Sequence, residues 1–517
     1  LALVATAAAA RPITHEDLWR MPRLSPPVIS PDGLRAVVPV LQPAYEESEQ
    51  RSDLWLLDVS GQTPPRQLTF DAAVESSPVW TPDSASLVYV KKVDAATPAQ
   101  LYRLDLGGGE AVQLTTLSTG VRSPQISPDG RQLLYVSTVD PRSQDDAAQK
   151  ALADERKARK YNVRVYTGFP IRNWDKWLDE RQTHLYVQAL KPGADARDLL
   201  AGTELARQPG FSGRVSDTGE ELDAVFTPDS RSIVFVASTN RHRAAYANTH
   251  TDLYLVALSG GEPRRLTGSD GLDAGPSWAK PRFSPDGALL WALHTPISAY
   301  SYNATRAAAL RWPALTQLPL IAGPEGRAVS SFVPDADGKT LWFTAEDSGR
   351  ERLYRAQVGQ SAAEAWIALE HGAYTNLSGA DRARSTTLIA GYDSATQPME
   401  IVRIDTRQRE HQPLTRFSSE RVRELDLAPA EDLWVEAAGR RVHSLVIKPP
   451  GFDPARKYPL LVLIHGGPNI QWRDQFFLRW NYHLLAAPGY VVLLTNYKGS
   501  TGYGEAFAQS IHLDPFA

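Results

Sequence analysis

No cysteine occurs in these 517 residues. Disulfides and thiolate metal sites are excluded, and nothing conflicts with an oxidising compartment. No apolar run approaches the ~20 residues that a membrane-spanning helix needs. Charge is nearly balanced: the formal net charge is only −4, which gives no sign of the strongly basic face that nucleic-acid binding favours. P-loop, dinucleotide fingerprint and metal-ligand cluster are all missing, so no cofactor or metal is called for. The "GGGE" at Gly107 reads as a hairpin turn between "LYRLDL" and "AVQLT".

What is present points to a soluble, mostly β protein. Hydrophobic residues make up 42% and charged residues 22%, and the length allows two to four domains. Pro (38) and Gly (35) are plentiful, and long helical patterns are few. The first residues, "LALVATAAAARP", lack an initiator Met and read as the end of a secretory signal, with a small-residue cleavage point at Ala8–Ala10. A remnant over residues 1–10 implies a periplasmic or secreted protein.

One phrase recurs: "ISPDGLRAVV" at Ile29, "WTPDSASLVYV" at Trp80, "ISPDGRQLLYV" at Ile126, "FTPDSRSIVFV" at Phe226, "FSPDGALLWAL" at Phe283 and the degenerate "VPDADGKTLWF" at Val333. Each is a tight turn feeding an apolar strand. The prolines at 31, 82, 128, 228, 285 and 334 lie 51, 46, 100, 57 and 49 apart. The interval of 100 reads as two periods, with one turn phrase lost or an insertion carried. A second phrase ("DLWLLDV", "QLYRLDL", "HLYVQAL", "DLYLVAL", "RLYRAQV", "EIVRIDT") and a third ("RQLTF", "VQLTT", "RRLTG", "QPLTR") follow in fixed order. This is the signature of a β-propeller, here of about seven blades over residues 25–420. An insertion at 141–183 opens with a charged, Ala-rich helical stretch and ends "GFPIRNWDKWLDERQ". Such insertions fall on the loops of one face, often the binding face.

After "QPLTR" the character changes. "LWVEAA", Gly439 and "RVHSLVIKP" predict a hairpin. "LLVLIHGGP" predicts an all-apolar strand at the centre of a parallel sheet. "RDQFFLRWNYHLLAAPG" has a helical period, and "YVVLLTNYKGSTGYGEAF" gives another buried strand and a Gly-rich loop. Residues 421–517 thus begin an α/β domain.

The order propeller, "KPPGFDPARKYPLLVLIHGGPN", "GYVVLLTNYKGSTGYGEAF" resembles the prolyl oligopeptidase family of serine peptidases, which are propeller-capped α/β-hydrolases. The "IRNWDKWLDE" stretch is similar to bacterial members of its dipeptidyl-peptidase and acylaminoacyl-peptidase branches. The resemblance implies that Gly467 donates a backbone N–H to the oxyanion, with Gly466 shaping the turn and His465 supporting the loop. A side chain there would block the approach. The alternative is an ordinary tight turn. The nucleophile should sit in G-x-S-x-G, yet no Ser has Gly at both flanking positions; the nearest miss is "GFSGR" at Gly210. The Ser-Asp-His triad is therefore expected beyond Ala517, and the 517-residue chain is expected to be inert alone.

The substrates implied are short peptides. An aminopeptidase needs an anchor for the free α-amine, for which Asp175 and Glu180 are candidates, with Trp174 and Trp177 as apolar walls. Equally, the two Trp are packing anchors on a solvated edge. Dipeptide release stands beside acylaminoacyl-peptidase or oligopeptidase activity. A non-enzymatic propeller scaffold similar to the TolB type is the remaining alternative, which the last hundred residues disfavour.

Overall fold

The computed structural model describes residues 10–514, apart from 47–48, 144, 162, 167, 217–218, 269–274, 381–386 and 438. The expected signal remnant therefore lies, but for Ala10, outside the described residues. Seven four-stranded antiparallel blades follow one another between Arg23 and Pro413. The innermost strand of blade one is split into Arg23–Leu24 and Val28–Ile29, and blade seven runs from Ala373 to Pro413. Every blade is built from consecutive strands, so no strand is shared to close the ring. Closure rests on apolar packing of Leu24, Ile29, Ala36 and Val38 against Ala380, Ile389 and Ile401.

The repeated phrases have a chemical reason. In the turns at Ser30, Thr81, Ser127, Thr227 and Ser284, the hydroxyl donates to the Asp two residues on, at 2.5–2.7 Å. It also accepts the N–H five residues on. Gly33, Ser84, Gly130, Ser230 and Gly287 then turn the chain at φ of 57–76°, which explains the Gly-or-Ser alternation. In the third phrase, Thr69, Thr115, Thr267 and Thr415 accept the N–H of Leu54, Leu101, Leu253 and Ile401 at 2.8–2.9 Å, fastening each outer strand.

The interval of 100 between prolines holds one blade, not two. Blade three runs from Arg122 to Asp198 and carries the insertion between Val139 and Gln182. The seventh blade lies at the other end of the ring, and its turn falls on residues 381–386, outside the described residues. The expected helix is present at Asp146–Ala158, capped by Asp145.

Blades one and two enclose an acid at a position where other blades carry Val121, Trp278 or Tyr374. Both carboxylate oxygens of Glu75, Asp53 Oδ1 and the Tyr89 hydroxyl are buried without a hydrogen bond, and Lys91 Nζ lies 3.8 Å from Glu75. Burial pushes the Glu75 carboxyl up to about 7. Because the folded-state pKa is raised, the stability that Glu75 contributes is fully present below its unfolded pKa. It is lost as pH rises through about 7. We therefore expect Glu75→Gln to raise stability at pH 8.5, by on the order of 2–3 kcal/mol, and to change little at pH 4.5. Urea unfolding midpoints at the two pH values check this; equal shifts at both would refute it.

Beyond the ring, four strands form one sheet: β1 (Glu431–Ala437), β2 (Arg440–Ile447), β3 (Leu460–Ile464) and β4 (Val491–Asn496). Their order is β1-β2-β4-β3, with only β3 and β4 parallel. The hairpin at Gly439 is present. Two expectations are corrected. β3 is an edge strand among the described residues rather than a central one. It pairs with β4 alone, so Leu460, Val462 and Ile464 are exposed by 59, 43 and 72%. The helical stretch is also shorter than its period suggested. Helix occupies only Tyr482–Ala486, capped by Asn481, because residues 471–476 run out to bond the propeller.

Three connections between second and third blade strands meet this sheet's loops. Ser301 N–H donates to His512, Gly349 N–H to Gln471 Oε1 and Ala395 N–H to Asp474. The insertion joins the second and third strands of blade three, so it stands on that same end of the ring. Residues 11–21, which the sequence left unassigned, join the seat. Ile13, Leu18 and Met21 pack on Leu425 and Phe476, and Arg11 clasps Asp17 at 2.6 and 2.8 Å.

Candidate active site

The turn after β3 is held from three sides. His465, 4% exposed, places Nε2 2.8 Å from Ser500 Oγ and stacks on Tyr497 at 4.4 Å. The Tyr497 hydroxyl donates to the His465 carbonyl at 2.5 Å. Asn469 Nδ2 donates to the carbonyls of Gly499 and Ala508, both at 2.9 Å. Burial lowers the His465 pKa, so the imidazole is neutral near pH 7 and supports the loop as a hydrogen-bonding plate.

Gly466 and Gly467 are exposed. Among the described residues, no acceptor takes either amide hydrogen. Gly467 sits at φ 124°, where a Cβ would also come within 3.1 Å of Asn469 N. That conformation favours glycine. Gly466 has open space where a Cβ would go. β3 is the third strand of its sheet, and in α/β-hydrolases the loop after the third strand supplies one oxyanion donor.

A second network braces the neighbouring loop. His443, 1% exposed, lies between Asp432 Oδ1 at 2.9 Å and the Tyr503 hydroxyl at 2.5 Å. Asn496 Nδ2 donates to the same hydroxyl at 2.8 Å, and Asn496 Oδ1 accepts the Trp472 N–H at 2.7 Å. Sequence reasoning assigned none of these residues a role. The signal was the Asn that ends an apolar strand in "LLTNYKGSTGYG".

The other candidates stand apart from this turn. Trp174 and Trp177 lie on a short hairpin of the insertion, Arg172–Asn173 with Lys176–Trp177, and are 90 and 55% exposed. Asp175 is exposed at its tip. Glu180 is engaged by Arg156 at 2.9 Å and Arg142 at 3.7 Å. Among the described residues, no hydrogen bond or ion pair joins these four to Gly466 and Gly467; they stand on the end of the ring that meets the sheet's loops.

The prolyl oligopeptidase family model matches residues 475–515. Dipeptidyl-peptidase 5 of Porphyromonas endodontalis is 26% identical over 97% of this chain and 69% of its own length. That of Aspergillus fumigatus is 27% identical over 99 and 72%. The chain is similar to the prolyl oligopeptidase family of serine peptidases. Its fold is likewise similar to a solved acylaminoacyl peptidase in complex with a chloromethyl ketone, at TM-score 0.70 and 17% identity, over 96% of this chain and 68% of that one. A Mycobacterium tuberculosis puromycin-hydrolyzing peptidase aligns at TM-score 0.58 and 19% identity, over 96 and 70%. A prolyl oligopeptidase-type peptidase attacks through a serine, and no residue of this chain stands in G-x-S-x-G. No described helix is long and apolar enough to cross a membrane.

Proposed function

We propose that this protein releases dipeptides from the N-terminus of short peptides in the periplasm or outside the cell, with the Gly467 amide as one oxyanion donor. The observation that carries the reading is the pair of unengaged amides at Gly466 and Gly467, held out by His465, Ser500 and Tyr497. Backbone donors fixed in advance lower the barrier where negative charge develops, and bury no compensating partner beforehand. The dipeptidyl-peptidase 5 relatives support dipeptide release over the acylaminoacyl alternative, which the structural neighbour represents. Residues 25–420 are taken as the filter and 421–517 as part of the hydrolase.

Asp175 is the proposed amine anchor, between Trp174 and Trp177, with Glu180 orienting the insertion through Arg156. Free and N-acylated dipeptide reporters test this in a polypeptide that joins this sequence to a complete Ser-Asp-His triad. The free reporter should be cleaved and a serine-directed phosphonate should stop it. Asp175→Asn should raise KM for the free reporter by roughly tenfold, a loss of about 1.4 kcal/mol. Cleavage of the acylated reporter alone would end the amine-anchor reading in favour of an acylaminoacyl peptidase.

A further inference from the structure

A cavity of about 950 Å³ receives residues from the innermost strand or turn of all seven blades, so it is the axial channel. Its walls mix stiff apolar groups with polar and charged ones, Gln125, Asp223, Arg282 and Asp286 among them. Pro31, Pro82, Pro128, Pro228 and Pro285 ring it at the repeated turns, with Trp80, Phe226 and Phe283 beside them. Four inner strands shift register at a bulge where one residue takes a left-handed φ. These are Ser77, Ser123 and Asn376 in three blades and Lys280 in blade five, at 49–53°. Short polar residues tolerate that conformation, whereas a long side chain gains nothing from it. Lys280 is exposed, lines the cavity, and its ammonium makes no hydrogen bond or ion pair among the described residues. The nearby Asp223 does not neutralise it. That carboxylate is held by Arg214 at 2.7 and 2.9 Å and accepts only the backbone N–H of Lys280.

We propose that the channel is a subsite for the carboxylate-bearing tail of a peptide, with Lys280 as its cationic anchor. The inference rests on the peptide-hydrolase reading above and extends it to the substrate's far end. A free ammonium in a partly enclosed cavity attracts a carboxylate more strongly than a lysine on an open surface does, because fewer waters and counterions compete. Proline and aromatic walls bury the peptide's apolar atoms at little entropic cost, having few rotamers to lose. A peptide drawn in tail-first leaves its N-terminus towards the end of the ring that meets the loops of the four-stranded sheet. Chains ending in a free carboxylate are thereby selected over blocked ones.

The test is direct binding of labelled penta- to octapeptides to the 517-residue chain, read by fluorescence anisotropy at low salt. Three forms are compared: free C-terminus, amidated C-terminus, and amidated with an internal Glu. The free acid should bind about tenfold more tightly than the amide. Lys280→Gln should abolish that difference while leaving amide binding unchanged, and added salt should act likewise. Recovery of affinity by internal Glu would assign the anchor to any carboxylate; no recovery assigns it to the C-terminus. Equal binding of acid and amide, or an unaltered ratio in Lys280→Gln, overturns the subsite and leaves the peptidase reading intact. No binding of any peptide would count against both, and cleavage of the free reporter by the triad-bearing polypeptide would then confine the failure to the channel.

Discussion

Gly467→Ala lowers kcat by ~10²–10³ in a polypeptide carrying the complete triad, with KM little changed. The reason is geometric. At φ 124° an alanine is strained, and its Cβ would meet Asn469 N at 3.1 Å and Ile470 at 3.4 Å. The turn must shift by tenths of an ångström, and its amide no longer points where the oxyanion forms. Binding of the ground-state peptide, which does not yet carry that charge, is spared. Gly466→Ala is the internal control: its Cβ meets nothing within 4 Å, so the expected loss is under tenfold. Steady-state kinetics of the two variants, with melting temperatures to show that both are folded, decide the matter. Equal and small losses would mean that neither amide serves the transition state.

The second large effect is on stability. Asp474, with its side chain 1% exposed, accepts the N–H of Ala395 at 2.7 Å and of Gly372 at 2.9 Å, and lies 3.2 Å from His371 Nδ1. Its own N–H donates to the Gly349 carbonyl at 2.8 Å. One carboxylate thus satisfies two propeller amides from the loop that follows β3. Asp474→Ala leaves both amides buried without acceptors and is expected to cost about 3–5 kcal/mol. Asp474→Asn keeps one acceptor oxygen and should lose less than half of that. Urea unfolding followed by tryptophan fluorescence measures both; a change under ~0.5 kcal/mol in each would show that the seat is held elsewhere. Glu505 has a parallel role, accepting Ala304 N–H at 2.8 Å and pairing with Arg306 at 2.7 Å.

The ring was legible from sequence because its units are local. Turn hydroxyl, Asp, left-handed Gly or Ser, and the Thr that fastens the outer strand all act within one blade, so their chemistry repeats in the letters. The "HGGP" turn was legible for the same reason, since unhindered backbone after an apolar strand is a local property. His465 was expected to support that loop, but its partners Ser500 and Tyr497 were not named. They come from the loop after β4, and only the parallel pairing of β3 with β4 brings them together.

What sequence alone determined is therefore the propeller, the change to an α/β sheet and the turn between β3 and its bracing loop. Tertiary structure decided which end of the ring meets that sheet, that residues 11–21 belong to the seat, and that β3 is an edge. It also decided that Asp175 is exposed at a hairpin tip while Glu180 is held by Arg156, and that Lys280 lines the channel. Each of these depends on contacts between residues tens to hundreds apart. No periodicity encodes such contacts, because they are fixed by how closed blades and a sheet fit one another.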